Sequence, residues 1–175
     1  MNETFVEECL SVLTRTPATL EALLRDLPET WTRAVTEGPG TWSAYDVIGH
    51  LIHGERTDWM PRLGIILEHG PSRPFDPFDR EAQFQESGGR SLSLLLDEFS
   101  ALRRNNLENL RALDLQPAQL SLQGTHPALG TVTVRQLLST WTAHDLAHIL
   151  QVSRILAKRL KQEVGPWAEY LSVMK

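Results

Sequence analysis

Four long segments of this chain carry apolar residues at helical spacing, and no tract alternates apolar and polar residues as a half-buried strand would. That pattern confines the 175 residues to an all-α architecture. The spacing predicts helices over residues 2–27, 43–69, 91–113 and 133–162. Pro28 ends the first, and Pro17 should kink or break it, because proline brings no N–H to the helical ladder. Ser43 is the expected N-cap of the second, with a further kink at Pro61. Thr133 caps the fourth, and Gly165-Pro166 stops it, with a short turn of helix expected from Trp167 to Val173. The connection from Gly70 to Phe78 is long and proline-rich, and Phe75 and Phe78 should pack it down. Residues 116–131 read as irregular, with a turn or short hairpin around His126-Pro127 and Leu129-Gly130-Thr131. Four amphipathic helices and little else make a four-helix bundle, one domain over residues 1–175.

Composition sets the outer limits. A net charge of −5, with both signs scattered, argues against a nucleic-acid surface. The apolar runs fall far short of the roughly 20 residues that span a bilayer. No basic segment followed by an apolar run opens the chain, and Cys9 is the single cysteine, so a cytoplasmic protein without an intrachain disulfide is expected.

Chemistry concentrates in the fourth segment. His144 and His148 are four residues apart, which stacks two imidazoles on one helix face. Such a pair can bind one transition metal, as in a zinc-protease helix, although Asp145 stands where that helix carries its glutamate. With about 100° per residue and Val134 at zero, Leu137, Leu138, Trp141, Val152, Ile155 and Leu156 form the core stripe. His144 and His148 then fall at about −80° and −40°, and Asp145 at about +20°, inside the apolar face. A carboxylate there needs a partner. On the second segment His50 lies at the edge of a stripe of Ala44, Val47, Ile48, Leu51, Glu55 and Ile66, with Gly54 leaving room one turn on. His53 should point towards the outer face. Three histidines from two helices would leave coordination positions open for water or substrate, as catalytic metal sites do.

Plainer roles exist for each residue. The histidines could be hydrogen-bonded edge residues. Asp145 could pair with Arg135, Arg154 or an arginine of the first helix, and Glu55 with an arginine of a neighbouring helix. Trp42, Trp59 and Trp141 read as core, Arg103-Arg104 and Lys158-Arg159 as solvated faces, and His69 and His126 as surface residues. Ser43 reads as a cap rather than a nucleophile.

Taken together, three pieces resemble the DinB/YfiT-like superfamily of metalloenzymes: Trp42-Ser43 opening a helix that carries Val47-Ile48-Gly49-His50-Leu51 and Glu55; the late helix His144-Asp145-Leu146-Ala147-His148-Ile149-Leu150-Gln151; and the number and order of helices. The resemblance implies a four-helix bundle with a crossover connection, often a homodimer. It implies a divalent metal, commonly nickel or zinc, on His50, His144 and His148, and in some members a low-molecular-weight thiol as co-substrate. His53 departs from the pattern, since relatives commonly carry an acidic residue there.

Two classes of function follow. In the first the chain is a metal-dependent enzyme acting on a small-molecule substrate, a thiol-dependent transferase or a hydrolase. Glu55 is then the first choice of base, and Asp145 supports a ligand histidine. In the second it is a non-catalytic helical binding module whose histidines are structural.

Overall fold

The structure, a computed structural model, describes residues 5–175. Its first arm is broken into α1 (Phe5–Leu13) and α2 (Thr16–Leu24). Residues 2–4 of the predicted helix lie outside the described residues. The break follows from Pro17, which has no N–H to donate to the carbonyl four residues back, that of Leu13. Arg103 takes that carbonyl instead, its Nη1 donating at 3.0 Å.

A short α3 (Glu29–Thr32) leads to the second arm, α4 (Ala44–Thr57) and α5 (Trp59–His69). Ser43 caps α4 as expected, in a reciprocal box. The Asp46 N–H donates to Ser43 Oγ at 3.3 Å, and the Ser43 N–H donates to the Asp46 carboxylate at 2.8 Å. The kink expected at Pro61 appears as a break at Asp58. The long connection that follows holds α6 (Ala82–Ser87), which periodicity did not reveal, and then comes the third arm, α7 (Leu92–Ala112). The region read as a turn or hairpin is a two-stranded antiparallel hairpin, β1 (Gln123–His126) and β2 (Gly130–Thr133), with Gln123 opposite Thr133. The fourth arm is α8 (Val134–Lys158), capped by Thr133 with Gln136, followed by α9 (Lys161–Val164) and 3-10 turns over Gly165–Tyr170 and Ser172–Met174. Among the described residues no helix is long and apolar enough to cross a membrane.

The arms pack as a four-helix bundle. α4 lies against α7 and α8, α1 and α5 against α8, and α2 against α7 and α8. α6 crosses α4 at Gly49, where a Cβ would collide with Ser87 Oγ. The hairpin docks on the connection through the Phe75 N–H, which donates to the Thr125 carbonyl at 2.9 Å.

Two apolar cores fill the bundle. One holds Leu10, Leu13, Leu63, Ile66, Leu110, Leu138 and Trp141, the other Leu20, Ile48, Leu51, Leu95, Phe99, Val152 and Ile155. On every arm a polar group falls between them: the Leu13 carbonyl, Glu55, Arg103 with Asn106, and Asp145. Arg103 was expected on a solvated face but is 1% exposed. It falls in the apolar stripe of α7, on the same face as Leu96, Phe99, Leu107 and Leu110. Its Nη2 donates to Glu55 at 2.8 Å and to Asp145 at 3.0 Å, and its Nη1 also donates to Asp145. Asn106 and the Trp141 indole complete Glu55, donating at 3.0 and 3.1 Å. Burial disfavours the guanidinium charge, but Asp145 and Glu55 more than offset this, and its proton affinity is raised.

Removing one partner of a buried ion cluster leaves an uncompensated charge, which costs about 3–5 kcal/mol. Arg103→Met should therefore lower unfolding free energy by about that amount in urea titration. A loss below about 1 kcal/mol would mean that water reaches the two carboxylates.

Candidate metal centre

His50 stands midway along α4, and His144 and His148 one turn apart on α8. Their Nε2 atoms converge. That of His144 lies 3.1 Å from His50 Nε2 and 3.0 Å from His148 Nε2, and one nitrogen from each ring lies within 4.8 Å of the others. Protons alone do not satisfy this arrangement. His144 Nε2 has either one hydrogen to give or one lone pair to share, yet two ring nitrogens face it. A shared cation resolves the conflict, since nitrogens at ~2.1 Å from one metal stand ~3.0–3.4 Å apart. The residues present fit a divalent transition metal.

The opposite ring nitrogen sets the tautomer in one of the three. His148 Nδ1 donates to Gln151 Oε1 at 2.8 Å, which leaves the Nε2 lone pair free. His50 Nδ1 and His144 Nδ1 are buried without hydrogen-bond partners. The amide of Gln83 on α6, also buried and unpartnered, sits near enough to His50 to raise its proton affinity, but outside good hydrogen-bond geometry. Other effects dominate. Burial first, then the neighbouring His148, pushes His50 down to about 4 and His144 to about 3. Burial also lowers His148, against the opposing pull of Gln151 and Asp145. All three are neutral at pH 7, the ligand form.

Aromatic rings frame the cluster. Trp42 lies 4.8 Å from His50 and stacks on His148 at 6.3 Å between centroids. Phe78 meets His50 edge-on at 5.4 Å, and Trp59 meets His144 edge-on at 5.1 Å. His50 and His144 form part of the wall of a cavity of about 640 Å³, a size that takes a small organic molecule. Gly54 also lines it, as its lack of a side chain suggested.

The other sequence candidates fall elsewhere. Glu55 and Asp145 do not join the histidines but lie in the Arg103 cluster, each wholly buried. Both Glu55 oxygens are taken, by Arg103, Trp141 and Asn106, so it is not free to accept a proton as a base. Asp145 reaches the histidines only through space, raising the proton affinity of His148. The partner of both acids is Arg103 of α7, not Arg135, Arg154 or an arginine of the first arm. His53 is buried rather than outward-facing, because α6 covers that side of α4. Its Nδ1 lies 3.2 Å from Glu86 and its ring 5.0 Å from Phe78. Trp42 precedes α4 and lines the cavity while also resting on the core. His126, read as a surface residue, lines the cavity as well, together with Asp58, Arg62 and Arg80. Sequence reasoning missed Asp58, Arg62, Arg80 and Gln83, since nothing in their spacing to the histidines marks them.

The chain's similarities agree with this geometry. The model of the DinB superfamily matches residues 13–152. The fold is similar to that of YfiT from Bacillus subtilis, described as a probable metal-dependent hydrolase with an unusual four-helix bundle topology, with a TM-score of 0.74 and 20% sequence identity over 86% of this chain and 85% of that one. No curated protein sequence matches. A family match over residues 13–152 takes in every arm and all three histidines, and the chain belongs to the DinB superfamily.

Proposed function

We propose that this protein is a metal-dependent enzyme acting on a small organic molecule, with His50, His144 and His148 holding a divalent cation, nickel or zinc. The observation that carries this reading is the convergence of three neutral imidazole nitrogens, two of them on rings in the wall of a substrate-sized cavity. When bound, such a cation supplies Lewis acidity, acidifying an incoming water or thiol and polarising the electrophile. Hydrolysis and thiol-dependent transfer both draw on that chemistry. The description of YfiT favours hydrolysis as the first reaction to test.

The chain's own residues do the rest. Gln151 fixes the His148 tautomer. Trp42, Trp59 and Phe78 surround the imidazoles with apolar surface and limit the water that reaches them. Glu55 lies outside the cavity, and the one carboxylate among the described residues that lines it is Asp58, ion-paired with Arg62, its proton affinity raised by burial against the opposing pull of that arginine. Asp58 Oδ is where a proton from the nucleophile would be held.

His148→Ala should abolish stoichiometric zinc or nickel uptake, measured by mass spectrometry under native conditions, and with it turnover of an ester or thiol-acceptor panel. Helicity should stay close to wild type, since the two apolar cores are untouched. Wild-type protein that takes up no metal after zinc dialysis would overturn the reading. Asp58→Asn should keep metal uptake and lower kcat about a hundredfold. Unchanged kcat would remove Asp58 as the proton acceptor.

Acid sensitivity of the metal-free protein follows from the same histidines. Above about pH 6.5 they are neutral both folded and unfolded and contribute nothing. Below it the unfolded chain binds protons that the fold refuses until about 4 at His50 and about 3 at His144. Stability should therefore fall as pH drops from 6.5, by at most about 1.4 kcal/mol per pH unit for each histidine. Urea midpoints at pH 7, 6 and 5 measure this, and the decline should flatten in His50→Asn/His144→Asn. An equal decline in that variant would assign it to other groups.

A further inference from the structure

The cavity beside the histidines is charged in a way the chain is not. The whole chain carries −5, yet the charged residues lining this cavity are two arginines, Arg62 and Arg80, and one aspartate, Asp58. Asp58 is already matched, in a buried salt bridge to Arg62 one turn along α5. That leaves Arg80. It lies in the connection between α5 and α7, it is exposed, and it makes no hydrogen bond or salt bridge among the described residues. His126 adds a neutral donor. Its Nδ1 accepts from the Ala128 and Leu129 N–H groups, each at 3.1 Å, which puts its proton on Nε2. The remaining walls are mostly apolar, built largely from Trp42, Trp59, Phe75 and Phe78, with Gln136 and Thr140 the polar side chains among them.

Resting on the reading of this cavity as the substrate site, we propose that it takes an amphiphilic organic monoanion, an aromatic or aliphatic carboxylate whose apolar body lies among the aromatic rings and whose charge is held by Arg80. A single unpaired guanidinium balances one negative charge and presents the planar fork that matches a carboxylate. The excess positive charge of the lining also raises the local concentration of anions above that of neutral analogues of the same shape. Arg80 is a specificity residue here.

The test compares 1-naphthoate with its neutral near-isostere 1-naphthamide by calorimetry at low salt, on zinc-loaded wild type, Arg80→Gln and Arg80→Lys. Wild type should prefer the carboxylate by about fivefold, Arg80→Gln should bind both alike, and Arg80→Lys, which keeps the charge but loses the planar fork, should keep only part of the preference. Affinity for the amide should be the same in all three, which shows that the cavity is intact. Any direct ligation of naphthoate by zinc is common to the three proteins and cancels between them. Equal binding of the two ligands by wild type overturns the proposal. So does a preference that survives Arg80→Gln, or no binding of either ligand at millimolar concentration. Zinc uptake, measured on the same samples, reports separately on the enzyme reading: protein that takes up no metal but loses its carboxylate preference in Arg80→Gln would sink that reading and leave this one standing.

Discussion

One buried guanidinium ties the molecule together. Arg103 touches every other arm of the bundle: the Leu13 carbonyl of the first, Glu55 of the second and Asp145 of the fourth. Burying these charges is expensive, and an apolar layer of the same volume would often stabilise as well or better. What the polar layer adds is register. Apolar stripes on α4 and α8 could pack a turn out of step with little penalty, whereas bonds to Arg103 hold Glu55 and Asp145 at one height. His50 lies five residues before Glu55, and His144 immediately before Asp145. Fixing the two acids therefore fixes where the two histidine helices meet. The layer also sets two carboxyl groups against one guanidinium.

The first arm shows how such a layer is encoded. Pro17 looks like a defect in a helical stripe, and its effect on the helix was readable from the sequence. Its consequence was not. The carbonyl it frees becomes an acceptor for a side chain on α7, 90 residues away. Asp145 was similarly half legible. Helical geometry put a carboxylate on an apolar face and demanded a partner, but could not choose among arginines. Arg103 is hidden as long as Arg103-Arg104 reads as one charged surface, although helical spacing puts Arg103 in the stripe of Leu96, Phe99, Leu107 and Leu110 and turns Arg104 about 100° away from it.

The histidines themselves were the legible part of the site. The spacing of His144 and His148 is a property of one helix, and His50 could be placed at a stripe edge from its own neighbours. The fold class and the four arms followed from periodicity in the same way. What failed were inferences about faces covered by elements with little periodicity. α6 has six residues between glycine- and proline-rich stretches, too few to show a period. Its presence turns the outer face of α4 into an interior one, which buries His53 and brings Gln83 to His50.

The centre thus has two kinds of wall. The histidines stand on long capped helices, locked by the Arg103 layer and by Gly49 against α6. The opposite wall comes largely from connections: Phe75, Phe78 and Arg80 from the segment between α5 and α7, and His126 from the hairpin. Chemistry that needs sub-ångström placement belongs on the first wall, and discrimination between substrates, which tolerates more movement, on the second. The helical frame is also what a 20% identical structure shares with this chain, since fold similarity at that distance reports on the arms and not on the side chains of the connections. A common helical frame can therefore coexist with different connections across proteins of this shape. For this chain, the residues that set the proposed cavity's preference among ligands are to be sought in the connections rather than beside the histidines.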